Sequence, residues 1–417
     1  MTILLKSATI IDSSSPFHLQ TKDILIEKGI IKKIASSIKN ETSIKEINLE
    51  NLHISQGWFD TSVSFGEPGF EERETIENGL KTAAKSGFTA VAVNPNTNPV
   101  VDNKSAIEFI KNKAKNTATD LFPIGNLTKG AEGRDLAELY DMQNSGAIAF
   151  GDYNKSISNA NFLKISLQYV QNFDGLVLSF PQDNSIAGKG IVNEEKNSTK
   201  LGLSGMPALA EEMQIARDLF ILEYTGGKLH IPTISTANAV SQIKKAKKKG
   251  LNVTCSVAAH HLVLNDDELT KFDSNSKILP PLRTSKDSKA LIKGLNSGVI
   301  DMITSDHNPI DIEHKKVEFQ NAKFGTIGME SLFGALNNVI DTEILIKCLT
   351  SNPRNRFNVS SAVINEGEKA NLTLFNPNST YKFIEENIIS TSKNSIFLNK
   401  TLNGKVYGII ANNKAVL

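Results

Sequence analysis

Cysteine is nearly missing: the 417 residues contain two, Cys255 and Cys348, too few and too far apart for a disulfide framework or a zinc knuckle. Both are expected to be buried reduced thiols. An excess of charge is missing too, since 46 Lys+Arg against 45 Asp+Glu leave a formal net charge of +1. That balance gives no footprint for nucleic acid or an anionic membrane surface as partner. No apolar run approaches the roughly 20 residues that span a bilayer. Met1-Thr2-Ile3-Leu4-Leu5-Lys6 lacks the apolar stretch of a secretory signal, so the expected location is cytoplasmic. Short-period repeats and low-complexity segments are absent. Arginine is scarce beside lysine and asparagine, a compositional bias without functional content.

What is present is enough apolar material for a large core, 40% of residues. Both ends read as short strands and turns. Ile24-Leu25-Ile26 and Ile30-Ile31-Lys32-Lys33-Ile34 flank the turn Glu27-Lys28-Gly29. Near the other end, Asn371–Phe375 reads as a strand that stops at Asn376-Pro377, and Gly404–Ile410 as another. The two ends are expected to form one small β-sandwich domain, 1–55 together with 363–417.

Between them short apolar runs alternate with helical patterns. Candidate strands are Trp58–Val63, Thr89–Val93, Leu121–Gly125, Ala147–Phe150, Leu176–Ser179, Lys228–Ile231, Val253–Val257 and Met302–Thr304. Eight is the number a (β/α)8 barrel requires. Their near-continuous apolar character suits parallel strands covered on both faces. Pro207 opens a helix over Ala208–Tyr224, and Gly226-Gly227 ends it. Ala239–Lys249 carries Val240, Ile243 and Ala246 on one face, with Gly250 as the residue after its cap. The fold class is therefore α/β, a TIM barrel over 56–362, and its chemistry is sought at the C-terminal strand ends.

Those ends carry recognisable motifs. Asp60-Thr61-Ser62-Val63-Ser64-Phe65-Gly66-Glu67-Pro68-Gly69 resembles the Asp-x-His-x-His-Leu-Arg-Glu-Pro-Gly of the dihydroorotases, metal-dependent amidohydrolases. Asn94-Pro95-Asn96-Thr97-Asn98-Pro99 is similar to their Met-Pro-Asn-Thr-Asn-Pro. Val253-Thr254-Cys255-Ser256-Val257-Ala258-Ala259-His260-His261-Leu262, Pro280-Pro281-Leu282-Arg283, Thr304-Ser305-Asp306-His307-Asn308-Pro309, Gly328-Met329-Glu330 and Asn352-Pro353-Arg354 follow in the family's order. The resemblance implies an amidohydrolase-type barrel and a place in pyrimidine biosynthesis. The reaction it implies is reversible closure of N-carbamoyl-aspartate to dihydroorotate. In the family a zinc centre activates water for that chemistry.

Set against the family pattern, the ligands are replaced. Ser62 and Ser64 stand at the two first-strand histidines, Phe180 at the fifth-strand histidine and Thr233 at the sixth. Either Asp152 or Tyr153 falls at the bridging carboxylate. Asp306 keeps the eighth-strand carboxylate. Gly66 replaces the arginine that would pair with the substrate carboxylate, Leu279 an asparagine and Ile310 a histidine, while Asn96 remains. No metal is therefore expected in place of the family's zinc.

Each retained residue has two readings. Asp306 is a general acid/base remnant or a structural hydrogen-bonding group. His230, His260 and His307 are scaffold residues or a relocated metal site. Asn96 binds substrate or caps a loop. Ser62 or Ser64 as nucleophile would need a histidine base within reach. The leading expectation is a catalytically inactive pseudo-dihydroorotase with a structural or regulatory role. Its partners by resemblance would be aspartate carbamoyltransferase and a second copy in a homodimer. The alternative is an active cyclic-amide hydrolase with an atypical or metal-free site. A third reading is a small-ligand sensor using a pocket made more apolar by Phe180, Leu279 and Ile310.

Overall fold

A computed structural model describes residues 1–40 and 44–417. Eight parallel strands form the central sheet: β1 Trp58–Val63, β2 Phe88–Val93, β3 Asp120–Gly125, β4 Ala149–Phe150, β5 Val177–Leu178, β6 Leu229–Ile231, β7 Val253–Ala258 and β8 Met302–Thr304. Their order in the sheet is their order in the chain. A parallel bridge between Val63 and His307 brings the two edges together, so the sheet closes into the expected barrel. β1 and β2 are buried along their whole length, which is why they read as unbroken apolar runs. Ala147 precedes the paired part of β4, where the Ile148 N–H donates to the Pro123 carbonyl of β3 at 3.1 Å ahead of the strand Ala149–Phe150.

Helices cover the barrel. Ala208–Thr225 starts after Pro207 and ends at Gly226, whose positive φ of 68° suits glycine. Ala237–Lys248 begins two residues before its expected start, because Thr236 caps it by accepting from the Ala239 N–H. Most of the core is one large cluster between strands and helices, including Trp58, Phe88, Phe150, Leu229 and Ile303. Both cysteines are buried and unpaired.

A separate sheet joins the two chain ends. Leu372–Lys382 pairs with His53–Gln56 on one side and Thr401–Ala411 on the other, while Thr2–Ile11 pairs with Thr21–Glu27. It has its own core of Ile3, Leu5, Ile24, Ile54, Leu372 and Ile410. The expected stop at Asn376-Pro377 is corrected: the strand continues to Lys382. A register shift between Asn376 and Thr380 takes the proline out of the ladder, as strand prolines require. The connection that follows leaves the sheet and lies on the barrel mouth. There Asn394 accepts from the Ile310 N–H at 3.1 Å, and Thr391 donates its N–H to Glu74 at 3.0 Å. Among the described residues no helix is long and apolar enough to cross a membrane.

Candidate functional site

The seam that closes the barrel also assembles the site. Asp60 is fully buried on β1. It accepts hydrogen bonds from the Thr304 hydroxyl, from the Ser305 N–H at 3.1 Å and from the Ser62 N–H at 3.2 Å. The Ser64 N–H donates to the His307 carbonyl at 2.7 Å. These bonds tie the ends of β1 and β8 and bring Ser62 to Asp306.

From there a polar cluster runs across the mouth. The Asn94 amide donates to Ser62 Oγ at 3.1 Å and to Ser64 Oγ at 3.3 Å. Ser62 and the Tyr153 hydroxyl both donate to Asp306 Oδ1, each at 3.4 Å. Burial, with the Asp60 carboxylate close by, pushes the Asp306 carboxyl up to about 7. Burial and the neighbouring Asp306 hold the Tyr153 phenol well above its ordinary value, so it stays protonated and donates. Near neutral pH Asp306 can hold or release a proton. Neither serine has an imidazole among its hydrogen-bond partners among the described residues, so no base is set to ionise a nucleophile.

The structure separates Asp152 from Tyr153. Asp152 turns away to brace the loop after β3, accepting from the Asn126 amide at 3.1 Å, the Leu127 and Thr128 N–H groups at 3.0 and 3.1 Å, and the Thr128 hydroxyl at 2.5 Å. Tyr153 takes the central position. Asn96 does not line the central cavity; Asn94 does. The Oδ1 of Asn96 is buried with no protein partner.

The histidines do not converge. His230 lies between Thr254 Oγ1 at 2.9 Å and Ser256 Oγ at 3.2 Å, and burial keeps it neutral. His260 is likewise held neutral by burial. His307 Nδ1 accepts from the Gly328 N–H at 3.2 Å, so its proton sits on Nε2, and burial pulls its pKa down to about 4. Phe180 and Thr233 are buried against the cavity. Among the described residues no group of three or more His, Cys, Asp or Glu side chains is placed to hold a metal ion.

That arrangement does not fit the zinc implied by the resemblance. Zinc sites are built from imidazole, thiolate and carboxylate donors. Here the cluster offers two neutral hydroxyls, an amide, a protonated phenol and a single carboxyl. The space is also small: the cavity among Ser62, Asn94, Tyr153, Phe180, His230 and Thr233 is about 20 Å³, room for roughly one water. Gly66 is locked as well. A Cβ there would lie 1.8 Å from the Phe70 carbonyl oxygen, so no side chain replaces the missing arginine while this turn persists. Leu279 packs beside Met206 and Ala210, and Ile310 is buried.

Three of the residues standing in for ligands or holding them together share one backbone feature. Tyr153, Thr233 and Asp306 have φ of 54°, 48° and 48°, values uncommon for residues with a side chain and exceptional for a β-branched one. Such strain costs on the order of 1–3 kcal/mol per residue and persists only where the surroundings enforce it.

Asn94 escaped the sequence reading, and Tyr153 stood there only as one of two candidates. Asn94 stands where the dihydroorotase pattern has methionine; a polar residue there beside two lost histidines was the available signal. Tyr153 could not be told from Asp152 without the loop's path.

Comparison with known proteins places this geometry in a lineage. A family model described as "Dihydro-orotase-like" matches residues 53–239. A dihydroorotase of Caldicellulosiruptor saccharolyticus is 40% identical over 99% of this chain and 97% of its own length. One of Syntrophus aciditrophicus is 36% identical over 97% of each. Among solved structures, the L-hydantoinase of Arthrobacter aurescens superposes with a TM-score of 0.84 over 100% of this chain and 98% of that one, at 19% identity, a likeness of fold. Motifs, closed barrel and full-length relatives agree, and the chain belongs to the dihydroorotase family.

Proposed function

We propose that this family member has exchanged zinc-dependent ring hydrolysis for a structural or regulatory role in pyrimidine biosynthesis. The observation that carries the reading is the hydrogen-bonded cluster of Ser62, Ser64, Asn94, Tyr153 and Asp306 at the barrel mouth. It fills the place where water would be activated, and its hydroxyls are engaged by the Asn94 amide and the Asp306 carboxyl. The small cavity supports the same reading, since a six-membered ring with a carboxylate needs far more than the room of one water. Aspartate carbamoyltransferase is the partner that the family resemblance suggests for this reading. Affinity capture from a lysate of the native organism tests that partner: its recovery in stoichiometric amount is expected, and its absence would count against the regulatory half.

A second reading has its own support. Relatives at 33–40% identity along nearly the whole chain carry the name dihydroorotase, and they favour an active cyclic-amide hydrolase with an atypical site. Asp306 would then serve as the proton-transferring group, with Tyr153 as donor. Turnover of dihydroorotate and of N-carbamoyl-aspartate by the purified chain separates the two. Our reading expects none above a buffer control; steady turnover abolished by Asp306→Asn would establish the second.

A further inference from the structure

A cleft opens at the opposite end of the barrel from the polar mouth. Gln56 ends the sandwich strand His53–Gln56 two residues before β1 begins, so it stands at the N-terminal end of the barrel strands. There a cavity of about 310 Å³ lies between the loop after the strand Thr2–Ile11 and the barrel helix Thr342–Leu349. The mouth, by contrast, holds about 20 Å³. Small-molecule sites begin at roughly 300 Å³ and favour the boundary between two domains.

The polar groups on its walls are unmatched. Gln56 is 7% exposed, and its Nε2 donates to Asp12 Oδ1 at 2.9 Å. Only the amide nitrogen can face that carboxylate, so the amide cannot turn over, and Oε1 stays buried without a donor. Such an acceptor costs free energy until an N–H reaches it. Asp12 itself is satisfied, accepting also from the Ser14 and Ile364 N–H groups at 3.0 and 2.9 Å. Glu343 and Lys347 stand one turn apart on the helix, in the order that favours an ion pair. Here they do not pair. Glu343 Oε2 faces His18 Nε2 at 3.4 Å, and His18 Nδ1 accepts from the Asp12 N–H at 3.2 Å, which places the ring proton on Nε2. Lys347 is left exposed, with no carboxylate partner among the described residues. Ile11, Ile344 and Ile346 form the apolar part of the lining.

A ligand of one sign meets its own charge here, since Glu343 repels an anion and Lys347 a cation. A small zwitterion suits both. Its ammonium supplies the donors that Gln56 and Glu343 lack, its carboxylate pairs with Lys347 and accepts from the Ser351 hydroxyl, and an aliphatic side chain covers the isoleucines. We propose that this cleft binds an aliphatic α-amino acid, its ammonium toward Gln56 and Glu343 and its carboxylate toward Lys347. The bound molecule bridges the sandwich loop and the barrel helix, whether or not the mouth turns over a substrate. Isothermal titration calorimetry of the full chain with L-leucine, L-valine and L-alanine tests the site. L-leucine should bind one per chain. Isocaproate and isoamylamine, which are leucine without its ammonium and without its carboxylate, should not saturate at the same concentrations. Lys347→Ala and Glu343→Gln, at exposed positions outside the core, should each weaken binding roughly tenfold or more. Absence of saturation by all three amino acids, equal binding of either control, or binding that survives Lys347→Ala would each overturn the proposal.

Discussion

At the scale of single residues, the site is a set of mutual replacements. Asn94 spans both serines, and Tyr153 reaches the one surviving carboxyl. Burial beside Asp60 raises Asp306 to about 7, far above the ~3.9 of an unfolded aspartate. Between about pH 4 and 7 the native chain therefore holds a proton that the unfolded chain has lost, and stability falls as pH rises through that window. Asp306→Asn removes the titration. It should stabilise the protein by roughly 2 kcal/mol at pH 8 and by little at pH 4, read as the difference between the two melting curves at each pH. A difference independent of pH would show that Asp306 is not the titrating group. Gly66→Ala should cost more than about 2 kcal/mol, since the atom it meets is the Phe70 backbone carbonyl, which cannot swing aside; chemical denaturation measures it. The positions of Ser62, Ser64 and Asp306 at the barrel mouth were legible because the flanking Asp60, Gly69 and His307 anchor the comparison with the family pattern. The roles of Asn94 and Tyr153 were not, because each depends on which loop end reaches the axis of the barrel, a three-dimensional fact without periodicity.

At the scale of elements, the barrel strands stand out because parallel strands buried on both faces must be apolar throughout, as in Phe88–Val93. Their ends were less legible: Ala147 is apolar for packing against the core, and pairing with β3 begins only at the Ile148 N–H, which donates to the Pro123 carbonyl at 3.1 Å. Leu372–Lys382 was cut short because Asn376-Pro377 has the composition of a turn, yet the strand Thr401–Ala411 carries it past the bulge. The closing seam of the barrel depends on Asp60. Asp60→Ala takes their side-chain acceptor from the buried Ser305 and Ser62 N–H groups and leaves the Thr304 hydroxyl only the Ser62 carbonyl at 3.2 Å. It should destabilise the chain by about 2–3 kcal/mol, visible as a lower denaturant midpoint; a shift within 0.5 kcal/mol, the range of an ordinary surface change, would mean that the seam is held by other contacts.

At the scale of the whole molecule, a closed barrel surrounds a polar cluster in which, among the described residues, no three His, Cys, Asp or Glu side chains are placed to hold a metal ion. At the ends of β1, β5 and β6, Ser62, Ser64, Phe180 and Thr233 stand where the family resemblance implies histidines, and Gly66 stands where it implies an arginine. No single reversal rebuilds such a site. The scaffold meanwhile keeps its closing seam and its buried core. The most direct test is the metal content of the chain produced in zinc-supplemented medium and freed of loosely bound ions, measured beside the Ser62→His/Ser64→His variant. The account predicts far less than one zinc per chain in both, because Phe180 and Thr233 still withhold their donors. One or more tightly bound zinc ions per wild-type chain, accompanied by dihydroorotate turnover, would contradict it.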